Sequence, residues 1–173
     1  MKGINIGLVG AGNIGQRHIM AIDQVEETRL MAIADPSNVA HQQASARDIP
    51  CYKSTQQMLE RETLDAVIIA TPTARHYDDV SLCISAGCKY ILVEKPIAAS
   101  DLEATNITRQ AEQAGCTVLV AHQRRYYPCA AKAKELIETG TIGTLIGVTG
   151  QWNCRKDEPY YAPEWRRKTE AGP

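Results

Sequence analysis

No charge of either sign dominates this sequence. Its 19 Lys and Arg nearly balance 20 Asp and Glu, for a formal charge of -1, so no basic field exists for wrapping nucleic acid or coating an anionic membrane. No apolar run approaches the roughly 20 residues that cross a bilayer. Met1-Lys2 leads straight into a short apolar run with no cleavage-site pattern. Together these absences predict a cytoplasmic chain with no nucleic-acid and no membrane partner. The six cysteines (Cys51, Cys83, Cys88, Cys116, Cys129, Cys154) include no Cys-x-x-Cys pair, and His18, His41, His76 and His122 stand isolated. A tetrahedral zinc site wants paired ligands at short spacing, so no metal is expected and the thiols read as reduced, mostly in buried segments. Repeats and low-complexity stretches are missing too. What is present is globular: 173 residues, 44% hydrophobic and 23% charged, with 12 Gly and 8 Pro, enough for one ordinary domain with a sizeable core.

Short apolar runs that read as buried parallel strands recur at Ile4-Val9, Leu30-Ala34, Ala66-Ala70, Tyr90-Val93 and Thr117-Ala121, separated by segments of helical periodicity. Ser54 with Gln57, and Ser100 with Glu103, match capping boxes, while Gly87 and Gly115 stand where a left-handed helix end is wanted. Ala104, Ile107, Ala111 and Ala114 would share one helix face. The expected fold is α/β, a doubly wound, mostly parallel Rossmann sheet over residues 1–121. After Ala121, Pro128 opens a helix carrying Ala131, Ala133, Leu136 and Ile137, and Gly140 closes it. A β-rich stretch is expected from Leu145 to about Cys154, with Ile146, Val148 and Trp152 on one face. No later segment would pair with it, and a lone strand is not stable. Residues 122–173 therefore read as the start of an incomplete α+β second domain, whose chain should be mobile or seek a partner.

Gly10-Ala11-Gly12-Asn13-Ile14-Gly15 follows the first strand and precedes a helix. In a dinucleotide-binding turn these three glycines serve a tight bend, close approach of backbone to pyrophosphate, and close helix-strand packing. The helix N-terminus adds free N–H groups and partial positive charge. Asp35 closes the second strand where a carboxylate can accept both ribose hydroxyls of an adenosine. A 2′-phosphate 4 Å from it would cost about 1 kcal/mol in water and about 4 at an effective dielectric of 20. Pro36-Ser37-Asn38-Val39-Ala40 offers no Arg or Lys to offset this, so NAD is expected over NADP. Glu94-Lys95-Pro96 follows the Tyr90-Val93 strand, whose end should open on the cofactor crevice. A lysine there can exchange a proton with a substrate hydroxyl while hydride moves to nicotinamide; alternatively it is a surface lysine at a strand end.

These motifs, with Ala70-Thr71-Pro72-Thr73-Ala74-Arg75-His76, Ala86-Gly87 and Val93-Glu94-Lys95-Pro96-Ile97-Ala98, resemble those of the glucose-fructose oxidoreductase, inositol dehydrogenase and MocA (Gfo/Idh/MocA) family. The resemblance covers essentially the whole chain. It implies an NAD(P)-dependent oxidoreductase acting on a secondary alcohol of a sugar, cyclitol or related polyol, with Lys95 as the catalytic and substrate-binding lysine and a cis Lys95-Pro96 bond. It further implies cofactor contacts from Gly10, Gly12, Asn13, Ile14, Gly15, Asp35, Thr71, Pro72, Thr73, His76, Glu94, Lys95, Pro96, Gln123, Trp165 and Arg166, and substrate contacts from Arg124 and Tyr161. Thr71-Pro72-Thr73 also reads as a plain strand-to-helix turn with Thr73 as N-cap, Arg124-Arg125 as solvated surface, and Trp165 as ordinary packing.

Family members are about twice this length and often form homo-oligomers. After the Trp-Arg segment they carry an Asp and, four residues on, a His that completes the proton relay. The present sequence stops at Ala171-Gly172-Pro173 with no counterpart for either. Two further readings stay open: a non-catalytic dinucleotide-binding module, and a methyltransferase-like binder, which would leave Glu94-Lys95-Pro96 unexplained.

Overall fold

Six parallel strands form the sheet of the first part of the chain, in a computed structural model that describes residues 3–162. They are β1 (Ile4–Val9), β2 (Thr28–Ala34), β3 (Cys51–Tyr52), β4 (Ala66–Ile69), β5 (Tyr90–Val93) and β6 (Thr117–Val120), in the spatial order β3-β2-β1-β4-β5-β6. The order reverses between β1 and β4, the switch point at which open α/β sheets hold ligands. Five of these strands were legible as apolar runs. The two-residue edge strand β3 was not, because Cys51 and Tyr52 are too short a run to show alternation; they pair only with Ile33 and Ala34.

Alternation within each strand sorts side chains onto two faces. Ile6, Leu8, Leu30, Ile33 and Ile68 join one buried cluster with Ile19 and Ile22 of α1 (Asn13–Ile22) and Ala40 and Ala44 of α2 (Asn38–Ser45). Val9, Val67, Ile69, Ile91 and Val93 join the other, with residues of α3 (Thr55–Arg61), α4 (His76–Ser85) and α5 (Asp101–Ala114). Each face is thus covered by helices, as a parallel sheet requires.

Helix ends follow side-chain chemistry. Ser37, Ser54 and Ser100 accept N–H bonds from Ala40, Gln57 and Glu103 at 3.2–3.3 Å. The return bonds of the two expected capping boxes fall one residue earlier, with Gln57 accepting from Lys53 N–H and Glu103 from Ala99 N–H. Gly115 ends α5 at φ 63° and Gly87 follows α4 at φ 81°, the left-handed region that glycine enters without a Cβ penalty. Ile107 and Ala111 are buried under α5, whereas Ala114 is exposed. Thr73 makes no capping bond; it begins a short 3-10 turn, Thr73–Arg75, leading into α4.

The chain divides into two compact units, the first running to Ala121 and the second starting at His122. In the second, Pro128 occupies the first turn of α6 (Pro128–Glu138), and Gly140 follows at φ 69°. The expected strand from Leu145 to Cys154 is absent: residues 145–157 form neither strand nor helix, and Ile146, Val148 and Trp152 are exposed. Without a neighbouring strand its backbone groups have no ladder to join, so water is the better partner. A single turn, α7 (Glu158–Tyr161), follows. All six cysteines are free, with Cys83 and Cys88 buried and Cys129 and Cys154 exposed. Among the described residues no helix is long and apolar enough to cross a membrane.

Candidate cofactor and lysine site

The parallel register brings the sequence motifs into one row. Asp35, Gly10, Ala70, Glu94 and Ala121 are each the first residue after β2, β1, β4, β5 and β6. Backbone bonds tie the row together: Gly10 N–H to Ala34 O at 2.9 Å, Ala70 N–H to Val9 O at 2.7 Å, Glu94 N–H to Ile69 O at 2.9 Å and Ala121 N–H to Val93 O at 2.8 Å. Segments far apart in sequence thus share the carboxyl-terminal rim of the sheet.

At the centre of the rim lies the glycine turn. A Cβ on Gly10, at φ +87°, would meet the Ala70 carbonyl at 2.8 Å, and one on Gly15 would strike the Gly10 carbonyl oxygen. Both positions therefore exclude a side chain. Gly12 differs, because a Cβ there meets nothing within 4 Å. The space above Gly12 is room that an approaching phosphate can use. Gly12 caps α1 with no side-chain bond, and the first turn, Asn13-Ile14-Gly15, carries no acid. Its N–H groups and the positive end of the helix dipole are left for an anion. These residues fit the pyrophosphate of a dinucleotide.

Asp35 sits half-buried at the β2 end. Its Oδ2 accepts the Ala11 N–H and its Oδ1 the Ser37 N–H, both at 2.8 Å. Burial pushes its carboxyl up, but the hydrogen bonds from Ser37 and Ala11 and the neighbouring His41 outweigh this and hold it below the usual carboxylate range. A carboxylate has about four acceptor positions, so beyond the bonds from Ala11 and Ser37 it can still accept from a ribose hydroxyl.

At the other end of the row the Lys95-Pro96 bond is cis and Lys95 is exposed. The residues on either side of Lys95 are fastened. Glu94, 8% exposed, accepts the Lys95 N–H at 3.3 Å and faces His18 Nε2 at 2.9 Å. Burial pushes the Glu94 carboxyl up, yet His18, through hydrogen bond and charge, together with Lys95 brings it below its ordinary value. The Pro96 carbonyl lies 2.8 Å from His76 Nδ1, while His76 Nε2 lies 2.9 Å from the Thr71 carbonyl. His76 is 1% exposed, so its ring is a brace between the loop after β4 and the lysine turn. Thr71 is braced as well, donating to the fully buried Asp79 at 2.9 Å. Asp79 also receives Thr55 Oγ1 at 2.6 Å and Arg75 Nη2 at 3.1 Å.

The first unit thus gathers Gly10 to Gly15, Asp35, Thr71 to Thr73, His76 and Glu94 to Pro96 on one rim. Gln123, Arg124 and Tyr161 belong to the second unit, where the Arg124 guanidinium lies 3.9 Å from the centre of the Trp152 ring. Trp165 and Arg166 lie outside the described residues. Sequence reasoning did not single out His18 or Asp79. Asp79 stands four residues after Arg75, a helical ion-pair spacing that was readable. His18 has no such local signal, because its partner is 76 residues away.

Residues 4–122 match the family model described as "Oxidoreductase family, NAD-binding Rossmann fold" (GFO_IDH_MocA). The chain is 31% identical over 154 residues to the rhizopine catabolism protein MocA of Rhizobium meliloti, covering 88% of this chain and 48% of that protein. It is 31% identical over 151 residues to scyllo-inositol 2-dehydrogenase (NAD(+)) of Bacillus subtilis (strain 168), covering 85% and 44%. Among solved structures, the WlbA dehydrogenase of Bordetella pertussis in complex with NADH and UDP-GlcNAcA matches with a TM-score of 0.77 and 31% identity, over 82% of this chain and 43% of that one. The chain thus spans about half the length of the curated relatives it matches. A glycine turn, a β2 carboxylate and a Glu-Lys-Pro turn on one sheet rim, together with a family match over 4–122, place the chain in the Gfo/Idh/MocA oxidoreductase family, with its NAD-binding Rossmann fold.

Proposed function

We propose that this chain binds NAD across the β1/β4 switch point and serves a dehydrogenase that oxidises or reduces a secondary alcohol of a sugar, cyclitol or related polyol. The observation that carries this reading is the row at the strand ends, with Asp35 on one side of the glycine turn and Glu94-Lys95 on the other. In that order Asp35 holds the adenosine ribose, the N-terminus of α1 faces the pyrophosphate, and Lys95 stands at the nicotinamide half. Bound NAD supplies the hydride acceptor or donor. Lys95 takes the proton from the substrate hydroxyl oxygen as the amine or returns it as the ammonium, and its exposed side chain can reach an incoming polyol.

Thr71 and His76 brace the loop after β4 and the lysine turn through their bonds to Asp79 and Pro96, and the family resemblance assigns Pro72 and Thr73 to the cofactor. The family resemblance assigns Gln123, Trp165 and Arg166 to the cofactor and Arg124 and Tyr161 to the substrate, and a homo-oligomer to the whole enzyme. Free thiols fit a cytoplasmic setting. The named activity of the inositol dehydrogenase relative favours a cyclitol or sugar.

Titration with NADH and, in parallel, NADPH tests the reading. NADH should bind saturably, NADPH more weakly, and Asp35→Ala should weaken NADH by about tenfold or more, the loss of a hydrogen bond to a charged group. Equal affinities for the two cofactors would remove the NAD preference; no NADH binding by the folded chain would remove the cofactor site. NADH binding without turnover of any polyol favours the second reading, a dinucleotide-binding module.

A further inference from the structure

His18 stands three residues after Gly15 on α1, the helix whose N-terminus faces the pyrophosphate site. It reaches the far side of the row, where its Nε2 lies 2.9 Å from Glu94 Oε1. The side chains of His18 and Glu94 are 17% and 11% exposed, so water competes little for this bond. The other Glu94 oxygen accepts the Lys95 N–H at 3.3 Å. Each oxygen of this carboxylate therefore has one partner, and the two partners belong to the phosphate-facing helix and to the lysine turn. The titratable groups facing Glu94 are His18 from α1 and Lys95 from its own turn. On the other side of Lys95, His76 fixes the Pro96 carbonyl.

We infer that His18 is a positioning residue for Lys95: it holds the Glu94 carboxylate, Glu94 holds the Lys95 backbone, and the phosphate-facing helix is thereby linked to the proton-transfer turn. Without His18, a buried carboxylate oxygen loses its donor. The carboxylate then turns toward water or takes a proton, and either change releases the Lys95 N–H. The significance for catalysis rests on the proposed function; the linkage itself does not.

The test uses the full chain and its His18→Ala and His18→Gln variants, with three readouts. They are the titration of the Glu94 carboxyl carbon by NMR, assigned with Glu94→Gln, amide hydrogen exchange at Lys95, and NADH affinity. In His18→Ala the Glu94 midpoint should rise, Lys95 exchange should accelerate about tenfold while amides of β1 and β2 keep their rates, and NADH should bind about fivefold more weakly. His18→Gln, whose side-chain nitrogen can replace the ring nitrogen, should recover most of the Lys95 protection. An unmoved Glu94 midpoint with unmoved Lys95 exchange overturns the inference, as does equal acceleration throughout β1 and β2. If His18→Ala fails to fold, Glu94→Gln decides, through a shift of the His18 ring nitrogens that the linkage requires and whose absence overturns it. Should the unaltered chain not bind NADH, the proposed function fails, and the first two readouts still decide the role of His18.

Discussion

The two units of this chain are built from similar ingredients and reach opposite ends. In the first, Ile6, Leu8 and Val9 of β1 are buried, Leu8 completely. In the second, Leu145, Ile146, Val148 and Trp152 are at least as apolar, yet all are exposed, Ile146 to 98%, and no described residue from 122 to 162 is buried. Apolar content does not separate them; neighbours do. β1 lies between β2 and β4, which use its N–H and C=O groups, and helices cover both of its faces. The segment around Ile146 has no ladder, so hiding its side chains would strand backbone polar groups.

The comparison is most sharply broken by truncating one residue in each unit. Ile33→Ala, at a fully buried position of β2, should cost about 2–5 kcal/mol, the transfer and cavity cost of a buried aliphatic. Ile146→Ala should stay within about 0.5 kcal/mol in the same denaturant titration. A large loss from Ile146→Ala would mean that a core exists around it in solution.

Glycines sharpen the contrast at a smaller scale. Gly15→Ala drives a Cβ onto the backbone of Gly10, while Gly150→Ala meets nothing within 4 Å. Overpacking of this kind costs about 1–3 kcal/mol, so the first variant should melt several degrees lower and the second should melt unchanged. Gly12→Ala probes a third situation, in which the fold tolerates the methyl group and the cofactor does not. It should melt like the unaltered chain while losing most NADH affinity.

How much of this was legible depended on how local the cause was. Ile4–Val9 and Tyr90–Val93 announce themselves by composition, and Ser54, Ser100 and Gly115 by capping chemistry within a few residues. The glycine turn and Asp35 were legible because their spacing is set by one strand-helix-strand unit. The bonds His18–Glu94 and His76–Pro96 join residues 76 and 20 apart in sequence, and only the parallel register brings them together. The strand expected near Ile146 failed for the converse reason: its pattern was right, but a strand also needs a partner that no local pattern reports.

Acid should act on the first unit through its rim. Asp35 and Glu94 both have carboxyls held below their ordinary values. A lowered native value means that the folded chain gives up the proton more readily. The stabilisation is therefore fully present above the unfolded values, about 3.9 for Asp and 4.3 for Glu, and is lost as pH falls through the native ones. Amide signals of β1 and β2 should report a stability decline below about pH 4 that is shallower in Asp35→Asn. An identical acid profile in that variant would show that the hydrogen bonds from Ala11 and Ser37 contribute nothing to folding.

The smallest expected effect belongs to the second unit. The shorter of its two described cation-π contacts sets Arg124 3.9 Å from the centre of the Trp152 ring, the other setting Lys156 4.9 Å from that of Tyr160. Trp152 is 70% exposed, and a contact so open to water is worth about 0.5–1 kcal/mol. That energy does not depend on a core, so Trp152→Ala should leave the melting of the first unit unchanged while altering only the local exchange rates near Arg124. Coupling of the two, with β1 amides responding to Trp152→Ala, would show that the aromatic ring supports the sheet and that the exposure separating the two units is not their state in solution.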